Sequence, residues 1–308
     1  MRKKQKILIF LDHDIIIRHF IHSQIFEPLR AVHEVTFVFL GEKGTDRKRI
    51  NLDLDKLGVD DYSLLEKHRG RSLIWKRLLW TGVLRMRPGK DFAERRKLFW
   101  KVVSSSRTLG RRGAWKLRIA GLPLLYTWYR HTMHRQLQAM PYHALEGLID
   151  DERPDIMIHP TVLDGPFLND LVEYGKSRGI PTIFLMNSWD NPSLKHAMAG
   201  SPDYLFVWGE QTKRHAVRLA GMHEKATIKF GAAQFDAYRD PPRIDRAEFC
   251  RRNGTSPDKR LLLFAGSSKD TNEYNHLQIL DQAVEDGALA SVAIIYRPHP
   301  WGNCGARG

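Results

Sequence analysis

The chain has 308 residues, enough for two domains that each bury a core of their own. Its 49 Lys or Arg against 35 Asp or Glu give a formal net charge of +14, yet no window approaches the roughly 18 apolar residues that would span a membrane. Cys250 and Cys304, the two cysteines, fit neither a metal nor a disulfide spacing, so a reducing compartment is the expectation.

The N-terminus, MRKKQKILIFLDHD, is basic but has no small-residue cleavage site, and reads as a first strand rather than a signal peptide. Lys6–Leu11 (KILIFL) is a continuous apolar run of the kind covered on both faces. Asp12, His13 and Asp14 stand at its end. Ile15–Val32 follows as a predicted helix, with Phe20, Ile21, Ile25, Leu29 and Val32 on one face, and Val35–Leu40 is the next strand. A β-α-β unit of this kind predicts a right-handed crossover and a parallel sheet. The loop after the first strand lacks the G-x-G-x-x-G dinucleotide fingerprint.

A basic segment then interrupts the alternation. From Glu66 to Arg135 there are 19 Lys or Arg against three acids, which accounts for the whole positive excess. Trp75, Trp80, Trp100, Trp115 and Trp128 lie in it too. Ser63–Leu84, Phe92–Ser105 and Ala114–Gln138 are predicted helices, broken near Pro88, at Gly110 to Gly113 and around Pro123. Cations interleaved with Trp, Phe and Leu suit the interface of an anionic bilayer. RNA would use the same residue types, but no RNA-binding pattern is present, and nucleic acid ranks below the membrane. The remaining reading is a solvated helical excursion whose aromatics pack on the sheet.

Alternation resumes with strand Asp155–His159, helix Asp164–Arg178 capped by Gly179, and strand Pro181–Met186. Strand Tyr204–Trp208, helix Glu210–Leu219 and strand Thr227–Phe230 follow, the last running into Gly231 and Asp236. Residues 1–236 are thus predicted to be a doubly wound α/β domain with a helical insertion at about 63–140. Asp240-Pro241-Pro242 is the best linker signal. Beyond it lie a short helix Arg246–Arg252, strand Arg260–Ala265, helix Tyr274–Asp286 and strand Val292–Tyr296. Two strands do not close such a domain, so 237–308 is expected to be the start of a second Rossmann-like domain, cut short.

In an open parallel sheet the loops at the C-terminal strand ends form the ligand crevice. Asn187, Ser188, Trp189, Asp190, Asn191 and Lys195 crowd one such end and are candidate cleft residues. Their alternative is a turn in which Asp190 and Asn191 bond their own backbone before Pro192. Gly266, Ser267 and Ser268 form a small-residue turn leading to a helix, which offers backbone donors to an anion.

These residues carry a resemblance. Ser188-Trp189-Asp190-Asn191 with Lys195, Pro202-Asp203, Val207-Trp208, Gly231 with Phe235-Asp236, and Arg297-Pro298-His299-Pro300 together resemble bacterial surface-polysaccharide proteins. Those are the two-Rossmann-domain (GT-B) glycosyltransferases and their CDP-glycerol glycerophosphotransferase relatives, an architecture shared with the non-hydrolysing UDP-N-acetylglucosamine 2-epimerases. The resemblance covers Lys6–Gly41 and Pro154–Trp301, outside the basic insertion. It implies an acceptor domain followed by a nucleotide-sugar domain, a UDP-, CDP- or CMP-linked donor, no metal and no further cofactor.

Transfer from such a donor needs a base for the acceptor hydroxyl and help for the departing phosphate. Asp12, His13 and Asp14 are the candidate base, each with helix capping as its alternative. Arg297 and His299, with the Gly266 turn, are the phosphate candidates; His299 is similar in placement to the histidine of the family's His-Pro motif, and an extended dipeptide is the plain alternative. The expectation is a cytoplasmic, peripheral enzyme of polysaccharide synthesis at the inner face of the plasma membrane. A nucleotide-sugar epimerase of the same fold and a non-catalytic basic binding protein are the alternatives.

Overall fold

A computed structural model describes residues 4–41, 59, 61–85, 90–106, 109–194, 198–267 and 273–298. The protein is α/β, built on parallel sheets. The chain divides into two units, Met1–Arg239 and Asp240–Gly308.

The first unit holds strands β1 (Lys6–Leu11), β2 (Glu34–Gly41), β3 (Tyr62–Glu66), β4 (Ile156–Thr161), β5 (Thr182–Met186), β6 (Tyr204–Val207) and β7 (Thr227–Lys229). All six pairings are parallel, and the order is β3-β2-β1-β4-β5-β6-β7. The order reverses direction between β1 and β4, as in the doubly wound dinucleotide fold. β1 is buried along all but its first residue because both neighbours and both helix layers cover it. Leu8, Phe10, Met157 and Phe184 face one core, and Ile7, Ile9, Leu11 and Ile158 face the other.

Helices α1 (Asp14–Phe20) and α2 (Glu27–Arg30) cover the second core. The single helix predicted over Ile15–Val32 does not form. Pro28 is the reason: in a continuous helix its ring would strike the carbonyl of Gln24 and its missing N–H would leave that carbonyl unpaired. Gln24 instead takes φ +56°, and Pro28 sits in the first turn of α2, where it costs nothing.

The helical segment is α3 (Arg69–Leu84), α4 (Lys90–Ser104), α5 (Gly110–Ala120) and α6 (Pro123–Gln138). The helix expected from Ser63 is corrected at its start: Tyr62–Glu66 pairs with β2 as an edge strand. Its period is two rather than 3.6, since Leu65 is 3% exposed and its neighbour Leu64 60%. The insertion therefore begins at α3. Ile74, Trp75 and Leu78 of α3 pack on Met133 and Leu137 of α6, while Leu84, Val103, Ala114 and Leu117 join α3 to α4 and α5.

One buried cation fastens the insertion to the sheet unit. Arg71 donates from Nε to Asp170 Oδ1 at 2.8 Å, from Nη2 to Glu173 Oε2 at 2.5 Å, and from Nη1 to the Leu137 and Met140 carbonyls at 2.7 and 2.9 Å. Trp75 Nε1 adds a fifth bond, to Asp170 Oδ1 at 2.8 Å. Helices α7 (His143–Glu152), α8 (Leu168–Arg178), α9 (Asn191–Leu194) and α10 (Glu210–Ala220) complete the first unit. Gly179 and Gly221, at φ +67° and +69°, end α8 and α10 in the left-handed conformation.

The second unit contains α11 (Arg246–Arg252), β8 (Arg260–Ala265), α12 (Glu273–Glu285) and β9 (Val292–Arg297). β8 and β9 pair in parallel from Arg260↔Val292 to Ala265↔Arg297.

Candidate functional site

The polar groups of the first unit gather where the strand order reverses, at the C-terminal ends of β1, β4 and β5. β1 delivers Asp12, whose side chain is buried. Its Oδ2 lies 3.8 Å from Nε2 of His159 on β4, and neither atom has a hydrogen-bond partner. The His159 ring sits edge-on to Phe167 and Phe184, and its Nδ1 is 2.9 Å from the Phe10 carbonyl. A carbonyl only accepts, so Nδ1 carries the hydrogen and Nε2 presents its lone pair to Asp12. Burial pushes the Asp12 carboxyl up to about 8, with Asp164 adding to it; burial also pushes His159 down to about 4. At neutral pH the pair is therefore a protonated acid beside a neutral imidazole.

Gly165 closes over this pair. Its φ is +157°, and a Cβ there would lie 2.0 Å from Asp12 Oδ2. Only glycine permits the approach.

His13 and Asp14 do something else. His13 is the N-cap of α1, and its Nδ1 lies 2.6 Å from Asp14 Oδ1. Both accept from the Ile15 amide, at 3.3 and 2.8 Å. The two exposed side chains serve the helix start.

At the end of β5, Asn187 is buried and its Oδ1 lies 2.8 Å from Nδ1 of His19, in the last turn of α1. An amide oxygen only accepts, so His19 Nδ1 is the donor and Nε2 is left as a basic nitrogen. His19 is half-buried, and burial lowers its pKa while the Asn187 bond opposes the shift. Burial therefore favours its neutral form, with Nε2 as the unprotonated nitrogen. Ser188, Asp190 and Asn191 form a closed turn: the Ser188 amide donates to Asn191 Oδ1 at 2.8 Å and its hydroxyl to Asp190 Oδ1 at 2.6 Å. Trp189 projects from this turn with half its surface exposed. Lys195 lies outside the described residues.

In the second unit, Gly266, Ser267 and Arg297 meet at the ends of β8 and β9. The Gly266 amide donates to the Arg297 carbonyl at 2.8 Å. The Ser267 amide donates to Glu273 Oε1 at 2.6 Å, so a carboxylate of the same unit already satisfies it. The Arg297 side chain is exposed; Ser268 and His299 lie outside the described residues.

Sequence reasoning missed His19, His159 and Gly165. A histidine in the apolar run Ile156–Thr161 was the available signal for His159. His19 has none without the fold, because Asn187 is 168 residues away. Among the described residues no group of three His, Cys, Asp or Glu is placed to hold a metal ion, and no helix is long and apolar enough to cross a membrane. A surface hollow of about 390 Å³ lies at the N-terminal ends of β4 and β5, away from these groups, where the Arg178–Asp150 pair neutralises part of its charge.

No family model and no curated protein matches the sequence. Solved structures similar to it include UDP-N-acetylglucosamine 2-epimerase from Rickettsia bellii, at 14% identity and TM-score 0.44, covering 97% of this chain and 63% of that one. Another is the S. aureus MnaA protein solved with UDP, at 10% identity and TM-score 0.45, covering 96% of this chain and 63% of that one. A third is a Glycyrrhiza uralensis protein solved with glycyrrhetinic acid 3-O-monoglucuronide, at 10% identity and TM-score 0.41, covering 97% and 70%. The chain spans 63% of the length of the first two.

Proposed function

We propose that this chain belongs to an enzyme of the GT-B glycosyltransferase type. It transfers a sugar or polyol phosphate from a UDP-, CDP- or CMP-linked donor to an acceptor hydroxyl in cell-surface polysaccharide synthesis. Met1–Arg239 takes the acceptor and Asp240–Gly308 belongs to the nucleotide side. The basic segment meets an anionic membrane from the cytoplasmic side.

One observation carries the chemistry: the His19–Asn187 hydrogen bond at the point where the sheet reverses. His19 Nε2 removes the acceptor proton. The acceptor oxygen then bonds to the activated carbon or phosphorus while the bond to the nucleotide phosphate breaks, and the nucleotide leaves with that electron pair. Asn187 fixes the tautomer that leaves Nε2 basic. Asp12 is too enclosed for that role and is neutral; with His159 it supports the floor of the site. Within the second unit, Gly266, Ser267 and Arg297 are the phosphate contacts of this reading, with phosphate displacing Glu273 from the Ser267 amide.

Calorimetry with UDP-, CDP- and CMP-sugars, followed by a nucleotide-release assay on wild type and His19→Ala, tests this. One donor class binds both proteins, and His19→Ala slows release about 10²- to 10⁴-fold. Absence of donor binding together with an unchanged rate in His19→Ala defeats the reading. Conversion of a UDP-sugar to its epimer without an acceptor identifies the epimerase instead.

A further inference from the structure

The corner between α5 and α6 exposes a set of apolar side chains that no core uses. Trp115, Ile119, Leu122, Leu124, Leu125 and Trp128 are all exposed, Leu124 to 93% and Trp128 to 67%. The inward faces of the same helices are already satisfied, by Ala114 and Leu117 on α5 and by Met133 and Leu137 on α6. A monomeric surface rarely carries so many contiguous apolar groups without an occupant.

Its rim is cationic. Residues 95–145 contain eleven Lys or Arg and no acid. Arg111, Arg112, Lys116 and Arg118 are exposed on α5, and none is ion-paired with a described carboxylate. Arg118 lies over Trp100 and Trp115, at 5.5 and 5.2 Å from the ring centroids, which holds a cation beside the apolar tip.

We infer that the α5–α6 corner inserts into an anionic phospholipid bilayer, with Leu124 and Trp128 at its deepest point and the α5 cations on the lipid headgroups. This names the contact residues for the membrane partner proposed above, and it does not depend on the transfer chemistry. The charge favours lipid over the other occupants. A second copy would bring two basic rims together, and nucleic acid would leave Ile119, Leu124 and Leu125 without a role, since aliphatic side chains do not stack on bases.

The insertion is a fixed mount for this corner. Its root is the Arg71–Asp170 cluster at the first turn of α8, near the crevice edge of the sheet. Arg85, at the other end of α3, lies over the Tyr126 ring at 3.9 Å, and its Cβ would be 3.3 Å from a Cβ at Gly121. Fourteen helical residues separate root and tip, about 21 Å along the axis.

Flotation of the 308-residue chain with vesicles of phosphatidylcholine plus phosphatidylglycerol, and with phosphatidylcholine alone, tests the inference. Wild type floats with the anionic vesicles and releases as salt rises. Leu124→Asp with Trp128→Glu lowers the partition coefficient at least about tenfold, and Arg111→Gln and Arg112→Gln about five-fold each. Circular dichroism and thermal unfolding stay unchanged, because the substituted side chains are solvent-facing. No flotation of wild type, or undiminished flotation of the double variant, overturns it. So does a wild-type dimer that Leu124→Asp dissociates, or RNA binding that survives Leu124→Asp and Trp128→Glu while vesicles are not bound. Transfer to a water-soluble acceptor is measured without vesicles, so failure here leaves the role of His19 to be judged separately.

Discussion

Replacing Asp12 with Asn removes a proton that the fold holds against its solution preference. Asp12 rises from 3.8 to about 8 on folding, so its contribution to stability is greatest at low pH and is lost as pH climbs towards 8. His159 falls from 6.5 to about 4, so its contribution is present above 6.5 and is lost as pH falls towards 4. Between about 4 and 6.5 the two slopes cancel: the folded pair holds its proton on Asp12 and the unfolded chain holds it on His159. Above 6.5 only the Asp12 slope remains. At about 1.4 kcal/mol per pH unit, wild type loses about 2 kcal/mol between pH 6.5 and 8. Asp12→Asn, of the same shape and always neutral, has no such loss in that window. Below 6.5 it shows the His159 slope alone, about 3 kcal/mol down to pH 4. Urea unfolding followed by tryptophan fluorescence at half-unit pH steps gives both curves. Their difference isolates Asp12, because every other group titrates in both proteins. Parallel curves from pH 6.5 to 8 refute the buried-pair argument.

Arg71→Ala leaves Asp170 buried without its cation and is expected to cost about 3–5 kcal/mol, read as a fall in unfolding midpoint. Gly165→Ala forces a Cβ into Asp12 Oδ2. Its cost is expected to shrink by about 0.5–3 kcal/mol in an Asp12→Ala background, which a double-mutant cycle by urea unfolding checks. Trp189→Ala changes stability by less than about 0.5 kcal/mol, since the ring is half in solvent, and calorimetry of unfolding measures this.

The parallel sheet was legible because its central strands are short apolar runs that both helix layers must cover, as Lys6–Leu11 and Thr182–Met186 show. What escaped was decided by one residue or by distance. Pro28 splits the first helix, and the edge strand Tyr62–Glu66 alternates for too few residues to stand out beside the helix that follows. The rule that ligands meet strand ends led to Asp12 and Asn187. It does not say which end residues turn inward, and the structure gives His13 and Asp14 to a helix cap and Asp190 and Asn191 to a turn. His19 and His159 acquire meaning only from partners 168 and 147 positions away. The tryptophans of the basic segment were visible in the sequence, but the exposure of Trp115 and Trp128 depends on which faces α5 and α6 turn to the cores they share with α3.

Proton removal by His19 is tested most directly by chemical rescue. In a nucleotide-release assay with saturating donor and acceptor, His19→Gly is expected to be slow and added imidazole to restore part of the rate, with Asn187→Ala slow but not rescued. A His19→Gly protein that turns over at the wild-type rate without imidazole contradicts the account.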